Sequence, residues 1–178
     1  GIVISYVFSS AVMFVYSFAS AGQIQSAFLW LMGDFSSIDE RLFSAAAVIV
    51  ILGTLFLCLA GNVINALSLG NEKSETLGLD AQKLIKIIFL TASLIAAACV
   101  AVCGVIGFVG LMTPHIMRKI AGGNHTTLIA QSALFGAAFL PFCDALSRTL
   151  FAPVMVPAGV ITGIAGGIFF MFLLLKAK

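Results

Sequence analysis

The sequence predicts an all-α fold: a polytopic membrane helical bundle of about six transmembrane helices in a single domain. Three observations lead there. Of 178 residues, 61% are hydrophobic and only 9% charged, whereas soluble domains run at roughly 25% charged. The apolar residues form long runs broken by short polar stretches, and at roughly 20 residues per crossing the chain has room for about six. Finally, alternation of the spans gathers Lys73, Lys83, Lys86, Arg118, Lys119, Lys176 and Lys178 on one side, leaving only Arg41 and Arg148 on the other. That bias makes the basic side cytoplasmic, and with it the C-terminus.

The runs place the elements in order. A first helix covers 2–20. A polar-aromatic connection follows over 22–41, with Trp30 as an interfacial anchor. A second helix spans 42–66, a polar interruption 67–86, and a third helix 84–103. The fourth segment, 104–119, reads GVIGFVGLMTPHIMRK. It is apolar enough for hydrocarbon yet carries Gly104, Gly107, Gly110 and Pro114. In a bilayer such breakers survive where neighbouring helices cover the backbone. It is therefore expected to cross the membrane and to form either a pathway or a packed seam. A turn at 122–127 leads to a fifth helix over 128–150, a rigid corner at 153–157 and a sixth helix at 159–175. The start at Gly1, without Met or a basic lead, is expected to be a cut, making the chain the later part of a longer protein.

Within 67–86, residues 71–77 are expected to form one or two helical turns, with Gly70 before them and Gly78 at the stop position. Leu67, Leu69, Leu77 and Leu79 would be apolar handles for a partner's groove. A plain solvated loop is the other reading. The same doubling applies elsewhere. Gly107 and Gly110, like the ridge Gly159, Gly163 and Gly167, suit close helix packing or a pathway. His115 could satisfy the carbonyl that Pro114 frees, or touch substrate. Ser9, Ser10 and Ser17 could line a pathway or bond to their own helix. Asp144 and Arg148, one turn apart, could pair, or Arg148 could meet a partner. His125 is expected to be solvated. Cys58, Cys99, Cys103 and Cys143 read as small packing residues, with no metal-ligand spacing beside them.

The strings LGNEKSETLG, GVIGFVGLMTPHIMRKIAGGNH, CDALSR and PVMVPAGVITGIAGGIFFMFLLLK occur in that order. Together they resemble the FecCD/BtuC-like permease subunits of bacterial ABC importers for iron-siderophores, haem and cobalamin. The resemblance runs from Trp30 onward and, less sharply, over the first helix. It implies a ten-helix permease fold in the cytoplasmic (inner) membrane, of which this chain is the C-terminal six. It implies a homodimer or paired permease, cytoplasmic ATP-binding-cassette ATPase subunits and a periplasmic or lipoprotein substrate-binding protein. By the same resemblance, Leu69, Gly70, Asn71, Glu72, Lys73, Ser74, Glu75, Thr76, Leu77, Gly78 and Leu79 form the ATPase-coupling loop. Arg148 docks the binding protein, and the first helix lines the pathway. Three positions depart from the pattern: Ser74 replaces alanine, Met155 a corner glutamate, and Gly166-Gly167-Ile168 a G-A-P.

Three function classes follow. An ATP-driven importer permease would bind no cofactor itself; the chain has no G-x-x-x-x-G-K-[ST], so ATP would be used by partners. A secondary transporter would need ionisable groups at the membrane midplane, but the charges lie at helix ends. An intramembrane enzyme could pair His115 with a serine, yet no nucleophile motif accompanies it. A nucleic-acid partner is disfavoured by the absence of a basic-aromatic cluster. The importer permease, not itself an enzyme, is the expected function. The loop would act as a lever, moving the second and third helices and through them the pathway.

Overall fold

The computed structural model describes residues 2–35, 38–76, 78–150 and 156–176. Its described elements are all helical: α1 (Ile2–Tyr16), α2 (Ala21–Leu31), α3 (Glu40–Leu59), α4 (Gly61–Leu67), α5 (Asn71–Thr76), α6 (Ala81–Cys103), α7 (Val109–Ala121), α8 (His125–Leu150) and α9 (Ala158–Lys176). Four of them, α3, α6, α8 and α9, are long and apolar enough to cross a membrane. The α1 helix has 15 residues and α7 has 13, or about 22 and 20 Å at 1.5 Å per residue, against a hydrocarbon core of roughly 30 Å.

Local chemistry sets the boundaries. Ser20 starts α2 with a capping box: its hydroxyl accepts from the Gln23 N–H, and the Gln23 side chain accepts from the Ser20 N–H. This corrects the expected 22–41 connection, which contains a helix. Asp39 caps α3 by accepting from the Arg41 and Leu42 amides at 2.8 and 3.1 Å. Asp80 caps α6 through the Lys83 amide at 3.1 Å, so that helix begins ahead of the expected residue 84. The expected 42–66 helix is divided at Ala60 into α3 and α4. An added Cβ at Gly61 would run into the backbone of Thr126, so a tertiary contact directs α4 onto α8.

Segment 104–119 is also divided. Residues 104–108 are not helical, and α7 starts only after Phe108. Phe108 has the left-handed φ of 64°, a conformation a bulky residue holds only under packing constraint. Here the constraint is visible. Its ring lies 6.0 Å from that of Phe170, and Gly166 lacks the Cβ that would collide with Phe108.

The helices pack side by side: α3 on α6, α7 on α8, and α8 on α3, α4 and α9. Fully buried residues are mostly small, such as Ala81, Cys143, Ala158, Ser147 and Thr162, as close helix approach in lipid requires. Two of the buried hydroxyls donate to carbonyls of their own helices, Ser147 to Asp144 at 2.7 Å and Thr162 to Gly159 at 3.1 Å. Large apolar side chains face outward instead; Phe89 and Phe172 are each 67% exposed. That inversion suits contact with lipid or with further membrane helices.

At one end of the bundle the contacts are backbone to backbone. The end of α2 is held by Val105 N–H donating to Trp30 O at 3.3 Å and Gly159 N–H donating to Gly33 O at 3.3 Å. A methyl group at Gly104 would strike the Trp30 carbonyl, and one at Gly159 the Met32 carbonyl. Gly104 and Gly159 are thus seam residues. Gly107, Gly110, Gly163 and Gly167 would meet nothing within 4 Å, so the packing reading does not hold for them within the described chain.

Candidate functional site

The α5 hairpin is the most distinctive local structure outside the bundle. Gly70, at φ +102°, turns the chain out of α4, and its carbonyl accepts from the Ser74 amide at 3.1 Å to open α5. Ser74 is fully buried. Its hydroxyl shares a proton between the carbonyls of Ala66 (3.1 Å) and Gly70 (2.8 Å), seating α5 against the end of α4. Leu79 N–H donates to Ser74 O at 3.1 Å, with Gly78 at φ +78° between the two residues in sequence. That six-to-one bond over a left-handed glycine is the Schellman stop. Leu69, Lys73, Thr76 and Gly78 are exposed and Leu79 half-buried. Leu77 and the side chains of Asn71, Glu72 and Glu75 lie outside the described residues.

Below this hairpin lies a polar joint that sequence reasoning missed. Asn65 Nδ2 donates to Asn124 Oδ1 at 2.8 Å. Asn65 Oδ1 accepts from the His125 amide and from His125 Nδ1, each at 2.8 Å. An amide oxygen only accepts, so Nδ1 carries the imidazole proton. Asn124 Oδ1 also accepts from the Thr126 amide at 3.0 Å, and the Thr126 hydroxyl donates to Asn62 Oδ1 at 3.1 Å. His125 is therefore partly buried and bonded, which corrects its expected solvated state. Residue spacing hides such a joint, because its members are about sixty positions apart. The one local signal was a pair of asparagines three apart in an apolar run.

At the opposite end of α8, Arg148 Nε donates to Asp144 Oδ2 at 2.8 Å, with the arginine side chain 46% exposed. The pairing reading holds in this chain, and the guanidinium keeps further donors. The expected corner at 153–157 falls largely outside the described residues, Met155 included.

The remaining candidates are dispersed. Gly110 and Pro114 line a cavity of about 530 Å³ between α3, α6, α7 and α8, together with Thr113, Arg118, His125 and Ser132. His115 is not among its lining residues. The His115 ring meets Phe169 edge-on at 5.7 Å, and its Nε2 is buried without a hydrogen-bond partner; that nitrogen does not satisfy the carbonyl freed by Pro114. Ser9 borders hollows on α1, one with Ser5 and Tyr6 and another with Tyr16 and Phe28. Ser10 is exposed. Ser17, just past the end of α1, donates to Met13 O at 3.0 Å, a bond back to that helix.

Comparison with known proteins agrees with this architecture. The profile of the FecCD transport family matches residues 1–176. The hemin transport system permease protein HmuU of Yersinia pestis is 35% identical over 179 residues, which is 100% of this chain and 53% of that protein. The cobalamin import system permease protein BtuC of Halobacterium salinarum is 36% identical over 155 residues, 87% of this chain and 42% of that one. A solved structure described as an inward-facing conformation of a candidate metal-chelate type ABC transporter matches with a TM-score of 0.86 at 27% identity. The match covers 98% of this chain and 58% of the other. The chain spans about half the length of the curated relatives it matches. With a family profile along nearly its whole length and a helical fold to match, the chain belongs to the FecCD transport family.

Proposed function

We propose that this chain is the C-terminal, six-crossing part of the permease subunit of an ATP-binding-cassette importer that brings a metal chelate into the bacterial cytoplasm. The chelate would be of the iron-siderophore, haem or cobalamin class. The observation that carries the reading is the α5 hairpin, a small helix with a buried seat and an exposed outer face in a chain of transport-family descent. Such a projection suits insertion into a groove on a cytoplasmic ATPase, with residues 69–79 as the coupling loop. Six crossings become possible if α7 and the non-helical 104–108 span together. The non-helical residues would lengthen α7 at its start, in the manner of interrupted helices shielded by protein. Seven of the nine basic residues would then lie on the cytoplasmic side with α5 and the C-terminus, and Arg41 and Arg148 on the other.

Two permease subunits would pair around the pathway, with Ser9, Ser10, Ser17, Gly107, Gly110, Pro114 and His115 as its candidate lining. A periplasmic or lipoprotein binding protein would deliver the chelate, and ATP would be used in the partner subunits, with no cofactor held here. The test is reconstitution of the full-length permease with its ATPase and binding protein in proteoliposomes. Co-purification of the ATPase and strictly ATP-dependent uptake are expected. Uptake driven by an ion gradient without ATP would overturn the reading.

Arg148 stands where a binding protein would dock, on the side opposite α5. Arg148→Glu is expected to weaken that docking about tenfold at low salt, through loss of a rim charge contact. Folding should change little, because the i,i+4 pair that is lost is solvent-exposed. Unchanged affinity at low salt would reject the assignment.

A further inference from the structure

The geometry points to Asn65, Asn124 and His125 as a clasp that carries the motion of α5 into α8, and we propose that coupling of ATP hydrolysis to transport runs through it. This rests on the reading of α5 as the ATPase-coupling element. Two mechanical routes lead away from α5, which packs chiefly on α4 and α6. The route to α6 passes through Gly78 and the short chain before the Asp80 cap. It is a single strand of backbone with a left-handed glycine in it, and it carries tension better than push or twist.

The route to α4 is built differently. Ser74 is buried against the last turn of α4. That helix in turn is fixed to the start of α8 by the bonds of Asn65 and Asn62 and by the close approach of Gly61 to Thr126. Three bonds to one amide define its orientation. Turning the Asn65 amide over would set its NH₂ against the His125 backbone N–H and its oxygen against Asn124 Oδ1. The clasp therefore resists both sliding and rotation. Beyond it, α8 contacts α3, α7 and α9 and runs 26 residues to Leu150. A displacement of α5 is delivered to the one helix that touches most of the bundle. The lever arm is α4 and α8, rather than the expected second and third helices acting alone.

The experiment uses the assembled importer in proteoliposomes, measuring ATP hydrolysis and uptake side by side. Asn65→Leu keeps the side-chain size and removes all three bonds. It is expected to assemble with the ATPase and hydrolyse ATP within about twofold of wild type, while substrate moved per ATP falls about tenfold, equivalent to roughly 1.4 kcal/mol of lost coupling. Asn124→Asp keeps an oxygen that accepts from Asn65 Nδ2 and the Thr126 amide, and should retain wild-type coupling. Asn124→Ala removes that acceptor but leaves the bonds from Asn65 to His125. It should fall between the two, and it decides the matter should Asn65→Leu fail to assemble. Wild-type transport per ATP in Asn65→Leu or Asn124→Ala would overturn the clasp. So would an Asn124→Asp importer as uncoupled as Asn124→Ala. Failure of the wild-type permease to bind an ATPase at all would overturn the docking reading and the clasp together, and is seen before any variant is made.

Discussion

Gly104→Ala is expected to cost the folded permease about 2–6 kcal/mol, a large part of an ordinary folding margin. Two separate terms contribute. The backbone at Gly104 has φ 72° and ψ −163°, a region that residues with a Cβ enter at a cost of about 1–3 kcal/mol. The new methyl would also collide with the Trp30 carbonyl. A carbonyl in the main chain cannot turn aside as a side chain does, and overpacking of this kind costs about 1–3 kcal/mol. Gly122 offers the comparison: it has φ 89° and ψ −175°, but an added Cβ there meets nothing within 4 Å. Gly122→Ala should therefore show the first term alone. Thermal unfolding of both variants in the same detergent separates them, and equal midpoints would mean that α2 is not seated against Gly104.

Gly78→Val is expected to reduce substrate moved per ATP about tenfold, with the bundle itself as stable as before. Space is not the obstacle, since an added Cβ at Gly78 meets nothing within 4 Å. The obstacle is conformational. Left-handed backbone costs an L-residue about 1–2 kcal/mol, and β-branching makes the position harder still. That is enough to shift the hairpin out of its present shape in most molecules, at tenfold per 1.4 kcal/mol. The Leu79–Ser74 bond that stops α5 would be lost with it. Gly78→Asn, which tolerates the left-handed region, should restore most of the coupling. Uptake per ATP equal to wild type in Gly78→Val would show that the hairpin works in another conformation. Full uncoupling in Gly78→Asn would show that glycine is needed there for contact and not for its φ.

The parts legible in sequence were those governed by local rules. Long apolar runs placed α3, α6, α8 and α9, and the glycine pair around 71–77 placed α5 with its stop. The α2 helix was legible in principle, for Ser20 and Gln23 stand at capping-box spacing. It was passed over because Gly22, Gln23, Gln25 and Ser26 lower the apolar signal. The break at Ala60 was not legible. Gly61 and Asn62 in CLAGNVIN are too slight an interruption to mark a helix boundary, and the cause is Thr126, far along the chain. Glycine spacing misled for the same reason: Gly163 and Gly167 share a stripe with Gly159, yet the glycines that neighbours fill are Gly159, against Met32, and Gly166, opposite Phe108. Which glycine faces another helix is a property of the assembled bundle. The Asn65 clasp was hidden in the same way, and the pairing of Arg148 with Asp144 was visible only because it is local.

The joint at Trp30, Met32, Gly104 and Gly159 has a mechanical consequence. Side-chain gates relax by spinning about χ angles, a few at a time and within nanoseconds. Where carbonyl oxygens rest directly on α-carbons there is no such freedom to spend. Thermal agitation cannot loosen that joint by swinging one residue aside. That end of the bundle yields only when entire rods separate, so it stays tight in every state that leaves them in register.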